Sequence, residues 1–180
     1  KQHPAPFSYD DIEKLISLFT KKNMTVLDPM VGVASTLIAC GNKKRKGIGI
    51  DLNGNYIDLG KKRLKKFGIT GQKLIAGDAL KKIKKLGKID YCVTSPPYHD
   101  ILRKSGNGVR HDGSQTRQGV KYYSEMKKDV GNQKSYNDYL SLLKEIMKEV
   151  FGRLRDGKYC SMVVSDFTVN KKETDASGDV

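Results

Sequence analysis

The segment Met24–Asn42, MTVLDPMVGVASTLIACGN, is the most informative one for fold class, because a strand, a loop and a helix follow one another in it. MTVLDP is typical of a short buried strand that ends at Pro29, since proline has no backbone N–H to continue a sheet ladder. ASTLIACGN predicts a helix, and we expect Gly41 to close it. This order of strand, loop and helix is the repeating unit of α/β domains.

The same alternation continues on both sides of this unit. Before it, FSYDDIEKLISLF has the apolar spacing of an amphipathic helix, at Ile12, Leu15, Ile16 and Phe19. Ser8 and Asp11 form a candidate capping box for that helix. Further strands are predicted in KGIGIDLN, QKLIAGDAL, KIDYCVTSPPY and GKYCSMVVSDF, and helices in NYIDLGKKRLKKFG and SYNDYLSLLKEIMKEVFGRL. Because the strands are nearly continuous apolar runs, we predict an α/β fold with a mostly parallel sheet and helices on both faces.

The length of 180 residues suits one domain, which we assign to residues 1–180. No apolar run is long enough to span a membrane, and the first ten residues lack the apolar core of a signal peptide. The three cysteines, Cys40, Cys92 and Cys160, form no C-x-x-C pair. We interpret them as buried free thiols of a cytoplasmic protein, and we expect no metal site.

The net charge of +14 favours a polyanionic partner, most simply nucleic acid. The basic runs KKRK, KKRLKK and KKIKK contribute much of that charge. Solvated helix faces of a lysine-rich protein would give the same composition, so charge alone leaves both interpretations open.

A polar or acidic residue ends each predicted strand. Asp28, Asp51 and Asp78 end the first three, the motif SPPY (Ser95–Tyr98) follows the fourth, and Asp166 ends the fifth. Open α/β sheets bind ligands at the carboxyl ends of their strands, so we expect these residues to share one site. Each aspartate could instead be a helix N-cap, and for Asp78 the two interpretations are equally supported.

The residues of this site indicate a ligand with a ribose, an adenine and a positive charge, but without phosphate. The loop after the first strand carries neither G-x-G-x-x-G nor G-x-x-x-x-G-K-[ST], and Asp28 at its head would repel a pyrophosphate. The Asp51 carboxylate can accept hydrogen bonds from ribose hydroxyls, and Asp78 can accept one from adenine. S-adenosylmethionine matches this description.

Four motifs, LDPMVGVASTLIA, GIGIDLN, AGD and TSPPY, resemble those of the amino-methyltransferases that modify exocyclic amines in DNA. The first motif of that family is close to D-P-F-x-G-x-G-T-T, from which this chain departs at Met30 and Ala34. Its catalytic motif, [D/N/S]-P-P-[Y/F], is matched in full. The resemblance implies a Rossmann-like fold dependent on S-adenosylmethionine. It also implies strands after the fifth, so we expect the fold to be incomplete at the carboxyl end of this chain.

The resemblance assigns roles to the residues of these motifs. The catalytic residues that it implies are Ser95, Pro96, Pro97 and Tyr98. The cofactor-binding residues that it implies are Phe7, Asp28, Pro29, Met30, Gly32, Ser35, Thr36, Asp51, Leu52, Asp78 and Ala79. In this arrangement the Ser95 oxygen and the Pro96 carbonyl accept the hydrogens of the target amine, and the two prolines fix that backbone. Tyr98 offers a face on which a flipped base stacks.

The predicted reaction is methyl transfer from S-adenosylmethionine to an exocyclic amine in duplex DNA, and Ser95 favours cytosine N4 over adenine N6. Methylation at cytosine C5 is excluded, because it needs a cysteine nucleophile after a proline and no cysteine here follows one. Two alternatives remain. One is an RNA base methyltransferase of the same fold, and the other is a nucleic-acid-binding module that has lost catalysis.

Residues 99–134 show no sustained periodicity and are rich in basic and small polar residues. Basic side chains interleaved with tyrosines suit contact with a nucleic-acid backbone. The candidate DNA-binding residues are Arg103, Lys104, Arg110, Arg117 and Lys121. A solvated loop would have the same composition, so this assignment is left open.

Overall fold

The computed structural model describes residues 8–97, 99, 126, 128–164, 167–169 and 172–174. The helices are α1 (Tyr9–Phe19), α2 (Ser35–Asn42), α3 (Gly54–Lys66), α4 (Ala79–Ile83), a short 3-10 helix (Val130–Asn132) and α5 (Tyr136–Arg153). The strands are β1 (Thr25–Asp28), β2 (Lys46–Asp51), β3 (Lys73–Ala76), β4 (Ile89–Thr94), β5 (Leu154–Met162), β6 (Phe167–Val169) and β7 (Lys172–Thr174). The predicted alternation of strands and helices is confirmed.

Five strands form one sheet in the order β3-β2-β1-β4-β5, and every pair in it is parallel. Strands β6 and β7 pair with each other in antiparallel fashion as a separate two-stranded unit. Because all five strands of the main sheet point the same way, their carboxyl ends lie at one edge and their amino ends at the opposite edge. The chain forms β1, β2 and β3 in that order and then crosses to the other side of β1 to form β4. Ligands of folds of this type bind at the carboxyl ends of the two strands where the order reverses, here β1 and β4.

Helices cover both faces of the sheet, as the apolar strands predicted. Successive residues of β1 point to opposite faces, so Val26 packs beneath α1 and α2 while Leu27 packs beneath α4 and α5. Helix α5 contributes one buried stripe at Tyr139, Leu143, Ile146 and Val150. No helix in the described part of the chain combines the length and the apolar character that a bilayer crossing requires.

The two edge strands, β3 and β5, depart from the prediction of strands buried on both faces. Strand β5 begins at Leu154, and all nine of its residues are exposed or only partly buried. Within the described residues β5 pairs on one side only, with β4. The interpretation of Cys160 as a buried thiol is therefore wrong, because Cys160 lies on this edge strand and is exposed, whereas Cys40 and Cys92 are buried.

Two local predictions about helix ends are also wrong. Gly41 does not close α2 but lies within its last turn, where an added Cβ would lie 2.3 Å from Cγ2 of Ile69. Glycine is needed there for close packing, and the left-handed residue that follows the helix is Lys44, with φ 59°. Ser8 is the N-cap of α1 by position, but its side chain makes no capping hydrogen bond.

Candidate cofactor site and catalytic turn

A cavity of about 450 Å³ opens at the carboxyl edge of the sheet. This volume lies within the usual range for small-molecule sites. Every described residue that the sequence assigned to cofactor binding or catalysis lines it: Asp28, Pro29, Met30, Gly32, Ser35, Thr36, Asp51, Leu52, Asp78, Ala79, Ser95, Pro96 and Pro97. Motifs that are up to 69 residues apart in the sequence thus share one cavity.

The remaining predicted residues lie outside the described part of the chain. They are Phe7, Tyr98, Arg103, Lys104, Arg110, Arg117, Lys121 and Asp166. Their assigned roles stay predictions.

Asp28 lies at the end of β1 and joins three elements. Its carboxylate accepts hydrogen bonds from Thr36 Oγ1 at 2.5 Å, from Thr94 Oγ1 at 2.8 Å and from the Met30 amide at 3.1 Å. These bonds tie the start of α2 and the end of β4 to the end of β1. Burial raises the pKa of this carboxyl to about 6, although the three hydrogen bonds act in the opposite direction. These bonds show that Asp28 shapes the loop, and it also lines the cavity, so its assigned role in ligand binding stays a prediction.

Asp51 ends β2 and holds the other side of the same loop. One carboxylate oxygen accepts from the Gly32 amide and the other from the Asn53 amide, each at 2.8 Å. Each carboxylate oxygen has two lone pairs, so both retain capacity for a hydroxyl donor from the cavity. Burial raises the pKa of Asp51 to about 6, and the nearby charges of Asp129 and Asp28 add to the increase.

The loop between β1 and α2 turns through two left-handed residues, Gly32 with φ 52° and Ala34 with φ 69°. Glycine adopts this conformation freely, whereas alanine incurs a cost of about 1–2 kcal/mol. Ala34 stands where the resembling family carries its second glycine, so the departure noted in the sequence falls on a position that requires a positive φ. The backbone adopts the conformation in spite of the substitution.

Asp78 both lines the cavity and caps a helix. Its carboxylate accepts a hydrogen bond from the Leu80 amide at 3.0 Å, which makes it the N-cap of α4. Its second oxygen lies 3.8 Å from the ammonium of Lys128. The N-cap interpretation of Asp78 is therefore confirmed, and its position in the cavity wall is compatible with the ligand role as well.

The chain around the 3-10 helix was not predicted to belong to this cavity. Lys128, Asp129, Val130 and Gln133 line it, together with Tyr56 and with Leu142 and Ile146 of α5. These first four residues fall in the stretch 99–134 that the sequence assigned to nucleic-acid contact. Asp129 accepts a hydrogen bond from the Gly131 amide at 3.0 Å and so caps the short helix, a local aspartate–glycine signal that could have been recognised.

The Ser95–Pro97 turn is held on both sides. Before it, Thr94 donates to Asp28, and the Thr94 carbonyl accepts from the Val163 amide at 2.9 Å. After it, His99 Nε2 lies 3.0 Å from the Gln133 carbonyl oxygen, and the His99 ring packs 5.8 Å from the ring of Tyr139. Pro96 is buried at the centre of the turn. The turn is thus positioned against the cavity by β4, by the 3-10 helix and by α5.

The charges that line the cavity suit a cation. Its described lining residues include four carboxylates, Asp28, Asp51, Asp78 and Asp129, but only one cationic side chain, Lys128. Such a lining repels phosphate and attracts a sulfonium or ammonium group. Among the described residues there is no group of three His, Cys, Asp or Glu side chains that could hold a metal ion. The donor set fits S-adenosylmethionine, with hydroxyl acceptors on Asp51 and an apolar wall from Val31, Leu52 and Leu80.

The architecture is shared with other solved structures. The structure of TrmN from Thermus thermophilus superposes with a TM-score of 0.61 at 13% identity, over 88% of this chain and 38% of that one. The structure of SMU.1697c from Streptococcus mutans, a methyltransferase in complex with SAH, gives a TM-score of 0.56 at 12% identity, over 88% of this chain and 72% of that one. The predicted Rossmann-like methyltransferase fold is confirmed by these likenesses.

Sequence comparison finds similarity to DNA methylases over part of the chain. Residues 1–62 match the model of a family described as DNA methylase, N6_N4_Mtase. The type II methyltransferase M.HpaI of Haemophilus parainfluenzae is 38% identical over 64 residues, which are 36% of this chain. The match spans about a fifth of the length of that relative, 20%. The predicted resemblance to the N6/N4 DNA amino-methyltransferases is therefore confirmed over the first third of the chain.

Proposed function

We propose that this chain carries the cofactor site and the catalytic turn of an S-adenosylmethionine-dependent DNA methyltransferase that acts on an exocyclic amine, cytosine N4 in preference to adenine N6. The observation that carries the proposal is the single cavity shared by the β1–α2 loop, Asp51, Asp78 and the Ser95–Pro97 turn. A donor site and an acceptor site must be adjacent for direct transfer, and this cavity provides that adjacency. The match of residues 1–62 to DNA methylases supports DNA as the substrate.

S-adenosylmethionine, when bound, supplies a methyl group on a sulfonium, which is an excellent leaving group. The Asp51 carboxylate accepts the ribose hydroxyls, since both of its oxygens keep a lone pair beyond their bonds to the Gly32 and Asn53 amides. The Asp78 carboxylate lines the same cavity at the start of α4 and would accept a hydrogen bond from the adenine amine. The excess of carboxylates in the cavity favours the cationic donor over its neutral product.

The catalytic turn positions the acceptor amine. The Ser95 oxygen and the Pro96 carbonyl accept its hydrogens and draw the nitrogen towards a tetrahedral geometry, so that its lone pair is directed at the methyl group. Pro96 and Pro97 fix this backbone before the base arrives, which reduces the entropy lost on alignment. Transfer forms the nitrogen–carbon bond as the sulfur–carbon bond breaks, and the methylated nitrogen then releases one proton to water. No covalent enzyme intermediate is required. Serine at the first position of the turn is the reason to place cytosine N4 before adenine N6.

The test is transfer of tritium from methyl-labelled S-adenosylmethionine to unmethylated genomic DNA and, separately, to total RNA. The expected result is label in DNA, recovered after digestion as N4-methylcytosine. Recovery as N6-methyladenine would overturn the preference for cytosine, and label in RNA alone would overturn DNA as the substrate. No label in either polymer, with cofactor binding intact, would favour a binding module.

Two serine variants distinguish a specific loss of methyl transfer from a general effect of substituting serine. Ser95→Ala removes an acceptor from the catalytic turn, and we expect transfer to fall about 100-fold with little change in cofactor affinity. Ser141→Ala on the exposed side of α5, outside the cavity, is the matched control and should transfer at the unaltered rate. Equal activity of the two variants would exclude the assigned role of Ser95.

A further inference from the structure

Basic residues are concentrated at the amino ends of the parallel strands, opposite the cavity. A short segment at this edge leads into each strand of the main sheet, and three of the five segments include the first residues of the strand. The segments are residues 20–24, 42–46, 65–73, 84–88 and 153–155. Together these segments contain 14 lysines and arginines and no aspartate or glutamate. We call this surface the basic edge. A parallel sheet gathers all five segments on one side, although they are spread over more than 130 residues of sequence.

Few of these charges are neutralised by carboxylates. Within the described residues, Lys43 pairs with Glu13 at 3.0 Å, Lys84 with Glu149 at 3.3 Å, and Arg155 with Asp90 at 3.3 Å. The other eleven basic residues of the edge have no carboxylate within ion-pair distance in that part of the chain. Most of their lysine side chains are exposed. The basic edge therefore keeps a large uncompensated positive charge.

Helix dipoles account for only part of this pattern. Helices end at this edge, and lysines in or just after a last turn, such as Lys65 and Lys66 of α3, stabilise the negative end of the dipole. Lys88 also serves a helix end, because its ammonium donates to the Gly152 carbonyl at 3.2 Å and to the Leu154 carbonyl at 3.4 Å. Lys46 and Lys73, however, are the first residues of β2 and β3. Strand starts carry no comparable dipole. A second reason for the positive charge is needed at these positions.

The dimensions of the basic edge match a nucleic-acid duplex. Five strands about 4.8 Å apart span about 19 Å, which corresponds to about five or six base pairs at 3.4 Å per step. The edge is separated from the cavity by the length of the strands, about 20 Å for the six residues of β2. A duplex that presents a base to the Ser95–Pro97 turn therefore does not reach the basic edge without bending around the protein.

We propose that the basic edge is a second nucleic-acid contact, which binds the phosphate backbone of a duplex without reading its bases. Phosphate is recognised by lysine and arginine through charge, and several such contacts give salt-dependent affinity without sequence preference. Binding to a membrane is disfavoured, because insertion needs exposed apolar side chains. Phe67 is the only large exposed apolar side chain of the five segments, and its ring packs against that of Tyr9 at 5.7 Å.

The experiment measures the affinity of the whole chain for a fluorescent duplex of about 20 base pairs, without cofactor, across salt concentrations from about 50 to 200 mM. One variant combines K46Q, K66Q, K73Q and K85Q at the basic edge. Its control combines K14Q, K61Q, K144Q and K148Q, which lie on exposed helix faces and remove the same charge. We expect the edge variant to bind at least tenfold more weakly, with a salt slope reduced by about 2 to 4, and the control to change far less.

Equal losses in the two variants would overturn the proposal, because they would mean that only net charge matters. Unchanged binding of the edge variant would overturn it as well.

Vesicles of phosphatidylcholine with about one-quarter phosphatidylserine provide the third arm of the experiment. Loss of vesicle binding by the edge variant, with duplex binding retained, would assign the basic edge to a membrane. Should the edge variant fail to fold, acetylation of wild-type lysines with and without duplex replaces it, and protection must map to the five segments. None of these readouts needs methyl transfer, so this inference and the proposed activity fail separately.

Discussion

In the described part of the chain, the two edges of the main sheet differ in charge. The carboxyl edge presents Asp28, Asp51 and Asp78 to the cavity, and the loops that follow these strands contain no lysine or arginine up to the next helix. The basic edge carries 14 basic residues and no acidic one in its five segments. A net charge of +14 therefore coexists with a cavity suited to a cation. The location of the charged residues, and not the net charge of the chain, therefore indicates which ligand each surface can bind.

A single strand illustrates the contrast. Strand β2 begins at Lys46, which is exposed at the basic edge. It ends at Asp51, whose carboxylate accepts a hydrogen bond from the Gly32 amide and so orders the loop between β1 and α2. Substitutions at its two ends should therefore have separable effects.

The largest effect is expected from Asp51→Ala. Loss of charged acceptors for the ribose hydroxyls, at about 1.5–3 kcal/mol each, should weaken S-adenosylmethionine binding at least 100-fold. Lys46→Ala, at the other end of β2, should leave the affinity within about twofold of wild type. Titration calorimetry of both variants measures the difference. Unaltered binding by Asp51→Ala would contradict the ribose assignment.

The second-largest effect is a loss of stability, which we expect from a substitution beneath the loop between β1 and α2. A Cβ added at Gly49 would lie 2.7 Å from Cγ2 of Val31, a residue of the cavity wall. Gly49→Ala should lower the free energy of unfolding by about 2 kcal/mol, because the core cannot take up the extra methyl group without a shift. Gly87→Ala at the basic edge meets nothing within 4 Å and is the control. Thermal unfolding compares the two, and equal melting temperatures would mean that Val31 moves aside at no cost.

A smaller effect is expected from pH. Burial raises the pKa of Asp28 and Asp51 to about 6 from their ordinary value of 3.8. A cationic ligand favours the ionised form, so the affinity for S-adenosylmethionine should rise about tenfold between about pH 5 and pH 7. Asp51→Asn should flatten this profile. An equally steep profile in that variant would assign the dependence to another group.

The same pKa values affect the free protein in the opposite direction. Because the folded state holds these two protons more tightly than the unfolded chain, their contribution to stability is full below about pH 4 and is lost as the pH rises through about 6. Denaturation of wild type and of Asp51→Asn across this window measures the contribution. If the variant leaves the free energy of unfolding unchanged across this window, burial of the ionised Asp51 carboxylate does not destabilise the fold.

The smallest effect is expected at Ala34, whose φ is 69°. Ala34→Gly relieves a left-handed alanine but removes a buried methyl group worth about 0.8 kcal/mol, so stability should stay within about 1 kcal/mol of wild type. Ala39→Gly, equally buried but inside α2, should cost about 2 kcal/mol through the lost methyl group and the lower helix propensity of glycine. Equal losses at both positions would show that the conformation of Ala34 carries no strain.

Much of the fold and of the site could be predicted from local patterns. The alternation of apolar strands and amphipathic helices was predicted, and every predicted site residue that the structure describes lines one cavity. Local patterns failed where the outcome depended on distant neighbours. Gly41 is explained by Ile69, a residue 28 positions later, and the exposure of Cys160 by the edge position of its strand.

The alternation of apolar strands and amphipathic helices, and the aspartates that end the strands, already determined a parallel α/β fold with a ligand site at one edge. This follows from local chemistry, because strand ends and helix caps depend on residues a few positions away. The inclusion of Lys128 and Asp129 in the cavity, and the gathering of five separate basic segments on the opposite edge, arose only from the packing of the chain. Both depend on contacts between residues far apart in sequence, which no local pattern records.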